Sequence, residues 1–113
     1  MPAMDTVPQV QPQQVSDDAV VLDVRERDEW ALGHAHGAVL IPLGELPARL
    51  AELPETDAGT LPVVCRSGGR SARAVAWLAQ QGYDVANLDG GMLAWQAAGK
   101  RLVAGGPDAP RVR

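Results

Sequence analysis

Cys65 is the only cysteine in the chain, and it opens the segment Cys65-Arg66-Ser67-Gly68-Gly69-Arg70-Ser71. An apolar run, Leu61-Pro62-Val63-Val64, leads into it, and Ala72, Val75, Ala76 and Ala79 follow on one helical stripe with Leu78 beside it. A strand, a glycine-containing turn and a helix together have the anatomy of an anion site. Gly68 and Gly69 lack Cβ atoms and can turn successive backbone N–H groups inward as a concave nest. The helix adds its unpaired N-terminal N–H groups and partial positive charge at the same point. Arg66 and Arg70 flank the thiol. Each feature favours thiolate over thiol, so the pKa of Cys65 is expected well below the free value of ~8.5. A thiolate in such a cradle is a nucleophile aimed at an anionic substrate. Most free cysteines are small buried hydrophobes instead, but the two arginines and the Gly-Gly pair argue against that reading here.

Positioning such a loop takes a core, and 113 residues supply one domain's worth. A chain of this size buries roughly 65% of the surface that its unfolded form exposes. Hydrophobic residues make up 46% and charged residues 21%, an ordinary globular balance. With three Trp, one Tyr and no Phe, the core has to be built mainly from Val, Leu and Ala. Ten Lys and Arg against fourteen Asp and Glu give a net charge of −4, which offers no general basic field for nucleic acid or an anionic membrane. A single cysteine excludes an intrachain disulfide and a thiolate zinc cluster. The apolar runs fall far short of the ~20 residues of a membrane span. Met1-Pro2-Ala3-Met4-Asp5 has neither the basic start nor the apolar stretch of a signal peptide, so a soluble cytoplasmic protein is expected.

Short apolar runs alternate with helical patterns along the chain. The Gln/Pro-rich start supplies at most a short edge strand and a turn. Ala19–Val24 reads as a buried strand, Arg25–Leu32 as a short helix stopped by Gly33, and Ala38–Ile41 as a second buried strand. Leu46, Leu50 and Leu53 predict a helix over Glu45–Leu53, and Glu55–Thr60 reads as a loop. Leu61–Val64 and Val85–Leu88 are the remaining strands. The helix after Cys65 ends at Gly82, and Met92–Ala98 forms the last one. Ala104–Arg113, with Gly105-Gly106-Pro107 and Pro110, is expected to be a loose tail. Such alternation predicts an α/β fold, a parallel sheet covered on both faces in three layers.

The motifs around this frame resemble those of single-domain rhodaneses, the thiosulfate sulfurtransferase family. Leu22-Asp23-Val24-Arg25-Glu26, Trp30, Gly33-His34-Ala35-His36-Gly37-Ala38 and Ile41-Pro42 are similar to the family's N-terminal signature. The segment from Cys65 to Ser71 is similar to its active-site loop. Gly82-Tyr83, Leu88-Asp89-Gly90-Gly91-Met92 and Ala94-Trp95 resemble its C-terminal signature. The resemblance runs from about Val7 to about Val103 and implies a domain over 7–103, with an extension at 1–6 and a tail at 104–113. It implies a five-stranded parallel sheet between helices and a catalytic loop at the carboxyl end of a central strand. The implied chemistry is transfer of a sulfane sulfur from thiosulfate, or a related donor, through a Cys65 persulfide to cyanide, a thiol or an acceptor protein. Arg66, Ser67, Gly68, Gly69, Arg70 and Ser71 would then bind the substrate, with Asp23 and Arg25 in support and with no cofactor or metal.

Phosphatases and arsenate reductases share this fold but place five residues between cysteine and arginine. Here there are four, Arg66 to Gly69, and the missing residue shortens the loop by roughly 3.3–3.6 Å. A smaller ring suits a single sulfur better than a tetrahedral oxyanion. A relay module working with a partner protein is the other alternative. His34 and His36 lack further ligands for a metal site. Trp30, Trp77 and Trp95 are read as packing residues, and Glu26-Arg27-Asp28-Glu29 as a solvated helix face.

Overall fold

Strands form where apolar runs are short and uninterrupted, and helices form where charged or small residues give one apolar stripe. The computed structural model describes residues 7–56 and 59–113, so the expected N-terminal extension at 1–6 lies outside the described residues. The elements in chain order are β1 (Gln9–Val10), β2 (Val21–Asp23), α1 (Arg27–Leu32), β3 (Ala38–Leu40), β4 (Leu61–Val64), α2 (Gly69–Gln80), β5 (Val85–Leu88) and α3 (Gly91–Ala97). Short 3-10 segments cover Pro12–Gln14 and Leu43–Glu52. The five strands form one parallel sheet in the order β1-β5-β4-β2-β3.

Each face of the sheet carries its own core, which makes three layers. Leu22, Val63 and Val85 face one side with Ala72, Val75 and Leu78 of α2 and with Leu46. Val21, Val64 and Leu88 face the other with Met92 and Trp95 of α3. Trp95 is fully buried and donates its indole N–H to the Arg101 carbonyl at 2.9 Å. Trp77 packs partly buried on the first core, and Trp30 stacks on His34.

Four expectations change. Ala38–Leu40 is an edge strand rather than a buried one, because β2 is its only neighbour in the sheet, and Val39 is exposed. The helix expected over Glu45–Leu53 is a 3-10 run broken at Arg49, since Pro47 has no N–H to give an α-helical ladder. On α2, Ala74 is buried and Ala79 is exposed, so the packed face is turned slightly from the predicted stripe. The end of the segment 104–113 is not loose. Arg111 N–H donates to the Leu32 carbonyl at 3.0 Å, Val112 N–H donates to Gln96 Oε1 at 2.9 Å, and Val112 packs on the second core. Of the expected loop at Glu55–Thr60, Asp57 and Ala58 lie outside the described residues.

Candidate active site

The chain leaves β4 at Val64 and turns at once through residues 65–68 before α2 begins. Val64 accepts a hydrogen bond from Val24 N–H at 2.9 Å, so the end of β2 braces the strand that delivers Cys65. Gly68 makes the turn with φ at +111°, a conformation that a side chain would strain. Gly69 simply starts the helix, and a Cβ there would meet open space. The nest requires one of its two glycines.

Cys65 is only 1% exposed, with its sulfur turned into the loop. Gly68 N–H donates to Sγ at 3.0 Å, and Ser71 Oγ lies 3.3 Å from it. Burial penalises the thiolate, but the Ser71 hydroxyl and the N–H groups of Ser71, Gly68 and Ser67 outweigh it and hold the thiol below its ordinary range. The sulfur is electrostatically a site for negative charge. Backbone donors and one hydroxyl do most of this, where the sequence pointed equally to the arginines.

Arg70 is engaged elsewhere. Its fork binds Glu29 of α1 at both ends, Nη1 to Oε1 at 2.6 Å and Nη2 to Oε2 at 2.8 Å. The pair ties the start of α2 to α1 and leaves Arg70 little freedom to meet a ligand. Glu29 is therefore a buried anchor, against the expectation of a solvated face for residues 26–29. Arg70 holds its carboxyl down to about 2, against the opposing effect of burial. A carboxyl with a lowered folded pKa stabilises the fold above its ordinary value of 4.5, and that contribution is lost as pH falls toward 2. Glu29→Gln is accordingly expected to flatten the loss of stability across that interval, as read by denaturant unfolding at stepped pH. An unchanged slope would remove Glu29 from the acid response.

Arg66 is exposed, and its Nε donates to a main-chain oxygen of Arg113 at 2.5 Å. The Arg113 guanidinium meets Asp28 of α1 at 2.8 Å. The returning tail thus closes one side of the loop, and Gly33 permits its passage, because a Cβ there would lie 2.4 Å from the Arg111 carbonyl oxygen. The contact with the tail uses Nε of Arg66. Ser67 is exposed at the rim and Ser71 is buried beneath the sulfur.

Asp23 and Arg25 lie together away from solvent. Arg25 donates Nε to Asp23 Oδ1 at 2.9 Å and Nη2 to Oδ2 at 2.8 Å, and Nη2 also reaches the Gly33 carbonyl at 2.9 Å. The two histidines do not converge. The His34 ring stacks on Trp30 at 3.5 Å, whereas His36 Nδ1 lies 3.5 Å from Asp18.

Two supports of the loop escaped the sequence reading. The first turn of α3 sits directly against it: Met92 N–H donates to the Cys65 carbonyl at 2.8 Å and Leu93 N–H to that of Arg66 at 3.0 Å. A Cβ on Gly91 would come within 2.5 Å of the Cys65 carbonyl oxygen, so only glycine allows this approach. The other support is Asn87 of β5, whose Oδ1 lies 2.5 Å from Ser71 Oγ. Its signal was present as the one polar residue in Val85-Ala86-Asn87-Leu88, since a buried amide needs partners.

Comparison with known proteins agrees with this arrangement. The description of the rhodanese-like domain matches residues 7–98. A sulfurtransferase of Allochromatium vinosum is 39% identical over 90 residues, which is 79% of this chain and 82% of that protein. The crystal structure of a rhodanese-related protein from Thermoplasma volcanium superposes with a TM-score of 0.75 at 28% identity, covering 85% of this chain and 97% of that one. A thiosulfate sulfurtransferase from Pseudomonas aeruginosa superposes with a TM-score of 0.70, also at 28% identity, over 96% of this chain and 22% of the longer enzyme.

Proposed function

The chain belongs to the rhodanese-like family, and from that premise we propose that it transfers a sulfane sulfur from thiosulfate, or a related anionic donor, through a persulfide on Cys65. The observation that carries this reading is the convergence of N–H and O–H donors on a buried sulfur held toward its thiolate form. The thiolate attacks the outer sulfur of thiosulfate, the S–S bond of the donor breaks, and its electron pair leaves with sulfite. The enzyme is left as Cys65–S–S⁻. A thiophile then attacks the terminal sulfur, giving thiocyanate from cyanide or a new persulfide from a thiol, and the Cys65 thiolate returns. This is ping-pong covalent catalysis with sulfur as the carried group. An already ionised thiol needs no general base.

The four-residue spacing favours sulfur over phosphate or arsenate, because a tetrahedral oxyanion needs more equatorial donors than a shortened ring presents. One cysteine leaves no internal thiol to discharge the persulfide, so the acceptor is external: a small thiol, cyanide or an acceptor protein. Incubation with thiosulfate followed by intact-mass measurement tests the reading. A gain of one sulfur atom that cyanide removes is expected, and an unmodified mass under saturating donor would reject it.

Arg66 is assigned to the anionic end of the donor, since its charge is exposed while Arg70 is bound by Glu29. A charge-assisted hydrogen bond contributes ~1.5–3 kcal/mol, and each ~1.36 kcal/mol is tenfold in rate. Arg66→Ala should therefore lower kcat/KM for thiosulfate by roughly 10- to 150-fold. The loss should be much smaller for a neutral-ended persulfide donor. Equal losses with both donors would mean that Arg66 shapes the loop instead.

A further inference from the structure

Asn87 is a polar side chain within an apolar strand, 4% exposed, and the reaction as written makes no use of it. Its amide is fully engaged. Nδ2 donates to the Gly68 carbonyl at 3.3 Å and to Gln9 Oε1 at 3.2 Å. The Gly68 carbonyl can only accept, so the end of the amide facing it is the nitrogen and the end facing Ser71 is the oxygen. Ser71 Oγ is completely buried, 2.5 Å from Asn87 Oδ1 and 3.3 Å from Cys65 Sγ. One hydroxyl proton therefore has two acceptors within reach. Directed at sulfur, it stabilises a thiolate; directed at Asn87, it leaves the sulfur to other chemistry.

We propose that Asn87 is a positioning residue for the chemistry of Cys65, holding the Ser71 hydroxyl from β5 within reach of Sγ and giving its proton a second acceptor. Without the amide nothing holds the Ser71 side chain beneath the sulfur, and that loss of position outweighs the removal of a competing acceptor. An apolar residue would also orphan the Gly68 carbonyl. An aspartate would keep the acceptor but lose the donor and bring a negative charge toward the thiolate. The inference concerns the same thiol as the sulfurtransferase reading and takes its purpose from it, but the thiol can be examined without any sulfur transfer.

The test is the rate of Cys65 alkylation by iodoacetamide as a function of pH, followed by intact mass, for the wild type, Asn87→Ala, Ser71→Ala and the double variant. Alkylation reports the thiolate alone. The charged groups on the elements around the thiol are Arg66, Arg70 with Glu29, Asp23 with Arg25, Arg113 with Asp28, Arg27 on α1, Arg73 on α2 and Asp89 ahead of α3, and all four proteins keep them. Asn87→Ala should raise the pH midpoint by about one unit, a tenfold loss of thiolate at any pH well below both midpoints. Ser71→Ala should raise it at least as far, and the double variant no further than Ser71→Ala. A folded Asn87→Ala with the wild-type midpoint overturns the proposal, and so do shifts that add in the double variant. Should alanine prevent folding, Asn87→Thr suits the strand, cannot span to both partners and carries the same expectation. Persistence of these shifts in a protein that takes no sulfur from thiosulfate would reject the sulfurtransferase reading and leave Asn87 in its place.

Discussion

Replacing Cys65 with serine is expected to abolish sulfur transfer and to leave the fold standing. The proposed reaction stores the carried sulfur on one atom, and the chain holds no second thiol that could take over. A serine hydroxyl in the same cradle stays protonated at neutral pH and forms no persulfide. The expected fall is on the order of 10³-fold or more, the scale that follows loss of the nucleophile from a covalent mechanism. Stability should change little, because the change exchanges one atom. The contacts that seat the loop on α3 come from the Cys65 and Arg66 carbonyls, which serine at position 65 retains. Thiosulfate:cyanide turnover and a thermal unfolding curve on the same preparation check both halves. Substantial turnover in the folded variant would mean that the sulfur travels by another route.

Asp23→Ala is expected to have the largest effect on stability. Asp23 and Arg25 are 0% and 1% exposed, and among the described residues the guanidinium has the Gly33 carbonyl as its one further acceptor. Removing the carboxylate leaves a buried, nearly unpaired cation, which costs about 3–5 kcal/mol. A small domain has about 5–15 kcal/mol in total, so the variant would melt roughly 10–20 °C lower. A double variant, Asp23→Ala with Arg25→Met, should recover part of that loss by removing the stranded charge. The Arg25 backbone N–H, which also donates to Asp23 at 3.1 Å, stays unpaired in both. Chemical denaturation of the three proteins decides it. A single variant within 1 kcal/mol of the wild type would show that water reaches Arg25.

What could be read from the sequence depended on whether the governing interaction was local. Leu61–Val64 and Val85–Leu88 have the expected bounds because a short, mainly apolar run carries its own signal even with Asn87 inside the second. The strand-turn-helix around Cys65 was equally plain, since turn, nucleophile and helix start are contiguous. Burial of Ala38–Leu40 was overestimated because its place at the sheet edge is a property of topology and not of composition. Pro47 overrides the helix that the spacing of Leu46, Leu50 and Leu53 predicts, since a residue without an N–H breaks the ladder whatever the periodicity around it. Glu29 looked like one charge in a solvated run because its partner, Arg70, is remote in sequence and near only in the fold. The tail misled through its glycines and prolines; Arg111, Val112 and Arg113 are held by Leu32, Gln96 and Asp28, each distant in the chain.

The seating of the cysteine loop on the first turn of α3 ties the site to the completion of the fold. β4, Cys65 and α2 precede β5 and α3 in the chain, and a domain generally folds as a unit. Until Gly91, Met92 and Leu93 are in place, the carbonyls of Cys65 and Arg66 have no seat. The loop around the sulfur is therefore completed only when α3 docks.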